Sequence, residues 1–131
     1  AYDGSGPAKL LEYNADTPTA LFESAVVQWD WLEQGMARGV LGPGCDQFNS
    51  LHERLIAAFA QLRAPSPYRL HLACVQSSAE DKGTVDYLMD CAVQAGLDAR
   101  FTYVEEIGLL SDGRFCDGAN QPIETLFKLY P

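Results

Sequence analysis

The stretch RLHLACVQSSAEDKGTVDYLMDCAVQAGLDARFTYVEE, residues 69–106, decides the fold. Its first eight residues, Arg69 to Gln76, form a short, mostly apolar run that reads as a buried strand. Val85, Leu88, Met89, Ala92 and Ala95 then recur at helical spacing, and Gly96 supplies a C-terminal stop. Residues 98–105 return to a strand, with Phe101 and Tyr103 on one face. A strand over 69–76, a helix over 81–95 and a strand over 99–105 need a crossover, so the two strands are predicted to be parallel. The expected fold class is α/β: a layered domain with a mostly parallel sheet flanked by helices, plus a small antiparallel hairpin.

The hairpin signal is Ser111-Asp112-Gly113-Arg114, between short strands at 107–110 and 114–116. Residues 118–122 read as a loop and 125–130 (TLFKLY) as a last strand. Upstream, Thr17-Pro18 is a helix start, with proline pre-set for the first helical position. The helix is expected to run to about Gln34, with Leu21, Ala25, Val26, Trp29 and Leu32 as its apolar stripe. Its two tryptophans read as packing residues. Residues 35–46 are glycine-rich and read as a connector, because they lack the lysine and hydroxyl of a phosphate loop. Asn49-Ser50-x-x-Glu53 reads as a capping box opening a helix with Leu51, Leu55, Ala58, Phe59 and Leu62 on one side. Ala64-Pro65-Ser66-Pro67 ends it. Residues 3–7 read as a turn and 9–14 as a short strand.

The chain has 131 residues, the size of one domain, and 47% hydrophobic residues place it among globular proteins. No apolar run approaches the length of a membrane span, and no signal peptide is evident. Without an initiator methionine, and stopping at Leu129-Tyr130-Pro131, the sequence reads as a segment of a longer protein. A net charge of −9 argues against nucleic acid, whose affinity comes from neutralised phosphates, and suits a cationic amine. Cys45, Cys74, Cys91 and Cys116 form no CxxC, which argues against zinc. Cys74 and Cys91 read as buried small hydrophobes, and a reduced, cytoplasmic setting is expected. His71, between apolar neighbours, reads as a satisfied or edge-exposed histidine.

Two stretches carry candidate chemistry. In Glu12-Tyr13-Asn14-Ala15-Asp16-Thr17-Pro18-Thr19, a strand would point Glu12 and Asn14 the same way. A carboxylate and an amide oxygen together are hard ligands of the kind Mg²⁺ takes. The helix start that follows offers free amides, a natural place for an anion or a developing oxyanion. The second stretch, Ser77-Ser78-Ala79-Glu80-Asp81, joins a strand end to a helix start, the usual place for function in an α/β sheet. Ser78-x-x-Asp81 can equally be a helix cap, with acids suited to the positive helix end.

The runs KLLEYNADTPTALFESAVVQW, DQFNSLHERLIAAF, LHLACVQSSAED with GTVDYLMDCAVQAGL behind it, DGRF and LFKLYP together resemble the glutathionylspermidine synthase family. EYNAD is the most specific piece, and within the family the chain is most similar to acid–amine ligases that lack an amidase domain. The resemblance implies the pre-ATP-grasp segment of an ATP-dependent ligase. In such a ligase a carboxylate is phosphorylated by MgATP, and the acyl phosphate is attacked by an amine to give an amide. It implies that Glu12 and Asn14 hold Mg²⁺, and that Thr17 and Thr19 hold the acyl substrate and its oxyanion, where the best-known members have serine. It implies that Glu80 and Asp81 bind the amine or peptide nitrogen, with Asp81 replacing a glutamate. Substrates would be a small carboxylate or glutathione-like peptide and a polyamine-like amine. The family's remaining metal carboxylate and its ATP-gripping lysines fall before Asp3 and after Pro131. The isolated segment is therefore expected to be inactive. The competing expectation is a non-catalytic module that binds a peptide or polyamine.

Overall fold

The computed structural model describes residues 4–7, 9–10, 20–47, 49–62 and 69–130. Strand β1 (Arg69–Cys74) is the central strand, with β2 (Asp98–Tyr103) on one side. The last strand of the chain, Thr125–Leu129, lies on the other side, and both pairings are parallel. Leu72 sits level with Phe101 and with Phe127, so the three strands present matched apolar rungs. The crossover between β1 and β2 is the helix Ala79–Gln94. The predicted parallel βαβ unit and the mixed α/β class therefore stand.

Helix α1 is described from Ala20, over Ala20–Phe22, passes through a π-helical stretch at Glu23–Val27 and continues over Gln28–Ala37. Helix α2 spans Leu51–Gln61, and the crossover helix, Ala79–Gln94, is α3. The α3 stop is as expected: Gly96 takes a positive φ of 83°, and the Leu97 N–H donates to the Ala92 carbonyl at 3.0 Å. Beyond β2 a 3₁₀ turn covers Val104–Glu106. The two-residue strands β3 (Gly108–Leu109) and β4 (Phe115–Cys116) then pair antiparallel, and β5 is Thr125–Leu129.

The core forms in two parts on α3. Leu70, Leu72 and Cys74 of β1 pack with Val85, Leu88 and Ala92. Ala25 of α1 packs with Tyr87 and Cys91, and Leu51, Leu55 and Ile56 of α2 close over them. Leu21, Leu55 and Phe59 touch both parts, which ties the helical layer to the sheet.

Several expectations change. Gly35 is helical rather than the start of a loop, because Leu41 folds back onto it. A Cβ at Gly35 would lie 2.7 Å from Leu41 Cδ1, so the missing side chain makes room for that return. Ser50 precedes α2 but makes no side-chain cap; its hydroxyl accepts from Arg54 Nε at 2.9 Å. Asn49 Oδ1 instead accepts the Leu51 N–H at 3.3 Å. The strand predicted for 98–105 ends at Tyr103, where Glu106 caps the following turn. Of the strand predicted over 9–14, Lys9 and Leu10 are described and are not in a strand; the rest lies outside the described residues.

Candidate functional site

The C-terminal edge of the sheet is built by the short connection from β1 to α3. Ser78 is extended, and its Oγ accepts the Asp81 N–H at 3.2 Å, so it is the N-cap. That hydrogen bond starts the helix at Ala79 and places Glu80 and Asp81 in the first turn, where the free N–H groups favour negative charge. The cap reading of this stretch therefore holds at Ser78, with the two acids in the first turn of the helix it starts. Among the described residues, neither carboxylate has a hydrogen-bond or ion-pair partner.

Other acids converge on the same edge. Both carboxylate oxygens of Glu105 accept the Gln76 N–H, at 3.1 and 3.2 Å, which fastens the connection to the end of β2. Burial raises the Cys74 thiol above its usual range, and the charge of Asp81 adds to this ahead of Asp86 and Glu105. Cys74 is therefore a protonated, inert thiol, and its surroundings are predominantly anionic. Lys82 is the opposing charge, but its ammonium is engaged by Asp86 at 2.6 Å and lies 4.3 Å from the centre of the Phe101 ring. An edge of this kind repels phosphate and attracts an ammonium group.

Glu12, Asn14, Thr17 and Thr19 lie outside the described residues. The helix α1 is described from Ala20, and its Leu21 packs against both parts of the core on α3. The Phe22 ring meets Tyr87 edge-on at 6.2 Å. Among the described residues, no group of three or more His, Cys, Asp or Glu side chains could hold a metal ion.

Two polar clusters had no signal in the sequence, because their members are far apart in the chain. His71 is fully buried on β1 rather than satisfied or at an edge. Its Nε2 lies 3.4 Å from Asp117 Oδ2, within ion-pair distance, yet both ring nitrogens are without a hydrogen bond. The contact is thus electrostatic. Burial tends to raise the Asp117 carboxyl, but the N–H groups of Gln121 and Ala119 and the His71 ring outweigh it and hold the group below the usual range. In the helical layer, His52 Nδ1 lies 3.0 Å from Tyr87 Oη and 3.7 Å from Cys91 Sγ. Burial pushes both the Tyr87 phenol and the Cys91 thiol up, so neither is a nucleophile at neutral pH.

A family model described as glutathionylspermidine synthase preATP-grasp matches residues 1–131. The chain belongs to the glutathionylspermidine synthase family. A Haemophilus influenzae protein named "Putative acid–amine ligase" is 49% identical to it over 135 residues, covering 99% of this chain. The chain spans only 33% of that relative's length. Among the described residues of this family member, no helix is long and apolar enough to cross a membrane.

Proposed function

We propose that this chain is the substrate- and Mg²⁺-binding portion of an ATP-dependent carboxylate–amine ligase whose nucleotide-gripping part lies elsewhere in a longer protein. The observation that carries this reading is the pair of carboxylates, Glu80 and Asp81, without a partner among the described residues, in the first turn of α3 at an acidic sheet edge. Ligands in parallel α/β sheets bind outside the C-terminal strand ends. In this site Glu80 and Asp81 hold the amine as its cation, which must lose a proton before it attacks. Thr17 and Thr19 hold the acyl group and donate to the oxyanion. Glu12 and Asn14 offer hard oxygen donors of the kind Mg²⁺ prefers, and the ion when bound would neutralise the phosphates of ATP. The co-substrates are a small carboxylate or glutathione-like peptide and a polyamine-like amine. The four thiols are free and fit a reducing cytoplasm, where ATP is available.

The test is phosphate release by the full-length protein with ATP and a panel of peptides and amines. Glu12→Ala should abolish turnover and leave the fold intact, whereas Glu80→Gln with Asp81→Asn should raise KM for the amine by roughly ten- to a hundred-fold. Residues 1–131 alone should release no phosphate. Binding of peptide or polyamine by the full-length protein without any turnover would favour the non-catalytic module instead, and full activity of Glu12→Ala would remove the metal assignment.

A further inference from the structure

A cleft of about 350 Å³ lies between the three helices, away from the sheet edge. Trp29 and Val26 of α1 form one wall, Glu53 with His52 of α2 another, and Tyr87 with Asp90 of α3 the floor. Asp90 comes nine residues after Asp81, which places it about 14 Å along α3 and half a turn around it. The cleft and the acidic pair are therefore separate places.

Its chemistry is one-sided. Among the described residues no lysine or arginine lines it, while Glu53 and Asp90 both do. Glu53 has no hydrogen-bond or ion-pair partner among the described residues, and Asp90 accepts only from the Gln94 amide, at 2.7 Å. The same cleft is lined by an indole, Trp29, and a phenol, Tyr87, ring types whose faces attract cations. Trp29 is 40% exposed, although the helical stripe would have buried it. The floor is set in advance: Tyr87 Oη is paired with His52 Nδ1 at 3.0 Å, and the Phe22 ring braces Tyr87 edge-on. Ala25 and Val26, which line the cleft, lie within the π-helical stretch Glu23–Val27. Such stretches widen a helix locally and recur where a ligand is held.

We propose that this cleft is a second cation site, made for an organic ammonium ion with an apolar flank: the ammonium lies between Glu53 and Asp90, and the flank lies on Trp29. It does not depend on the roles assigned to Glu80 and Asp81. A phosphate or carboxylate ligand would meet two like charges and no counter-charge, and a bare metal ion would leave the aromatic walls unused.

The test is titration of the intact protein, labelled at the indole nitrogens, with butylammonium and phenethylammonium chlorides, against n-pentanol and butyrate. The readout is the Trp29 indole N–H resonance, identified by its loss in Trp29→Phe. Saturable shifts are expected with both ammonium ions, tighter for the aromatic one, and none with butyrate. Glu53→Gln/Asp90→Asn should weaken binding by about tenfold or more, and Asp81→Asn should leave it unchanged. Both Glu53 and Asp90 are exposed, so the double variant should fold, which circular dichroism checks. The proposal falls if neither ammonium ion moves the resonance up to about 20 mM, if pentanol moves it as far, if the double variant binds as tightly, or if Asp81→Asn removes the effect.

Discussion

The two faces of β1 are both buried, yet they are built on different terms. One face offers Leu70, Leu72 and Cys74 to Val85, Leu88 and Ala92 of α3, six side chains whose one polar group is a thiol. The other carries His71 and Ala73, level with Thr102 of β2, and sets an imidazole against a carboxylate brought from Asp117. The first face tolerates approximate fit and draws its stability from area removed from water. The second depends on one partner in one place, because a buried polar group without its partner is costly. The difference also follows distance in the chain. The apolar face is closed by the helix that immediately follows β1, whereas the polar face waits for a loop that arrives after β4.

The largest expected effect is on the apolar face. Leu72 is fully buried at the level of Phe101 and Phe127, so Leu72→Ala should destabilise the fold by about 2–5 kcal/mol, by lost transfer energy plus the cavity left behind. Urea unfolding monitored by circular dichroism checks this, with the denaturant slope unchanged. A loss below about 1 kcal/mol would mean that the face between sheet and α3 is not closely packed, and the contrast between the faces would fail.

The polar face should respond less in size and more in kind. Asp117→Ala removes the carboxylate beside His71 and the acceptor for the Ala119 and Gln121 N–H groups, and should cost about 1–3 kcal/mol. His71→Leu in the same background should recover part of that loss, since replacing both partners of a buried polar pair with apolar groups is often neutral. No such rescue is possible on the apolar face. Additive losses in the double variant would show that the two side chains are not coupled.

Acid separates the faces a second time. The folded Asp117 carboxyl is held below its unfolded value of about 3.9, so the folded state binds its proton less readily. Its contribution is therefore fully present above that unfolded value and is lost as pH falls through the lower, folded value. Asp117→Asn keeps the loop acceptor but not the charge, and should flatten the stability profile below about pH 4, as read from unfolding midpoints across pH. Leu72→Ala should lower the profile without changing its slope.

These contrasts explain what could be read from the sequence. The parallel βαβ unit was legible because period and order alone require it, and the Ser78 cap and Gly96 stop were legible because each acts within a few residues. The capping box at Ser50 failed because Arg54 and Asn49 compete for the same local hydrogen bonds. Gly35 was misplaced because its reason is a return contact from Leu41, six residues on. The role of Glu105, pairing 29 residues away with Gln76, and the His52–Tyr87 contact at 35 residues had no local pattern at all. The acidic pair at Glu80 and Asp81 was legible as a candidate site because it sits where a strand hands over to a helix. The assignments at Glu12, Asn14, Thr17 and Thr19 rest on sequence and family alone.

The smallest expected effect is the most instructive control, because it repeats the chemistry of the polar face in water. Arg69 precedes His71 by two residues, so its side chain leaves β1 on the same side. Its Nε meets Asp98 Oδ2 at 2.9 Å, and Arg100 Nε reaches the other oxygen at 2.9 Å. The hydrogen bond from Arg69 holds the Asp98 carboxyl low, and the charge of Arg100 adds to it. By geometry this is a better pair than His71 with Asp117, at 2.9 against 3.4 Å. It is nevertheless about a third to two-fifths exposed, where water screens the attraction and solvates either charge if the other is removed. Arg69→Ala should therefore cost no more than about 1 kcal/mol and lose even that at molar salt, measured by the same urea titrations. If Arg69→Ala cost as much as Asp117→Ala, contact geometry would outrank burial on this face. If it costs little, what makes the His71 pair matter is the absence of water around it.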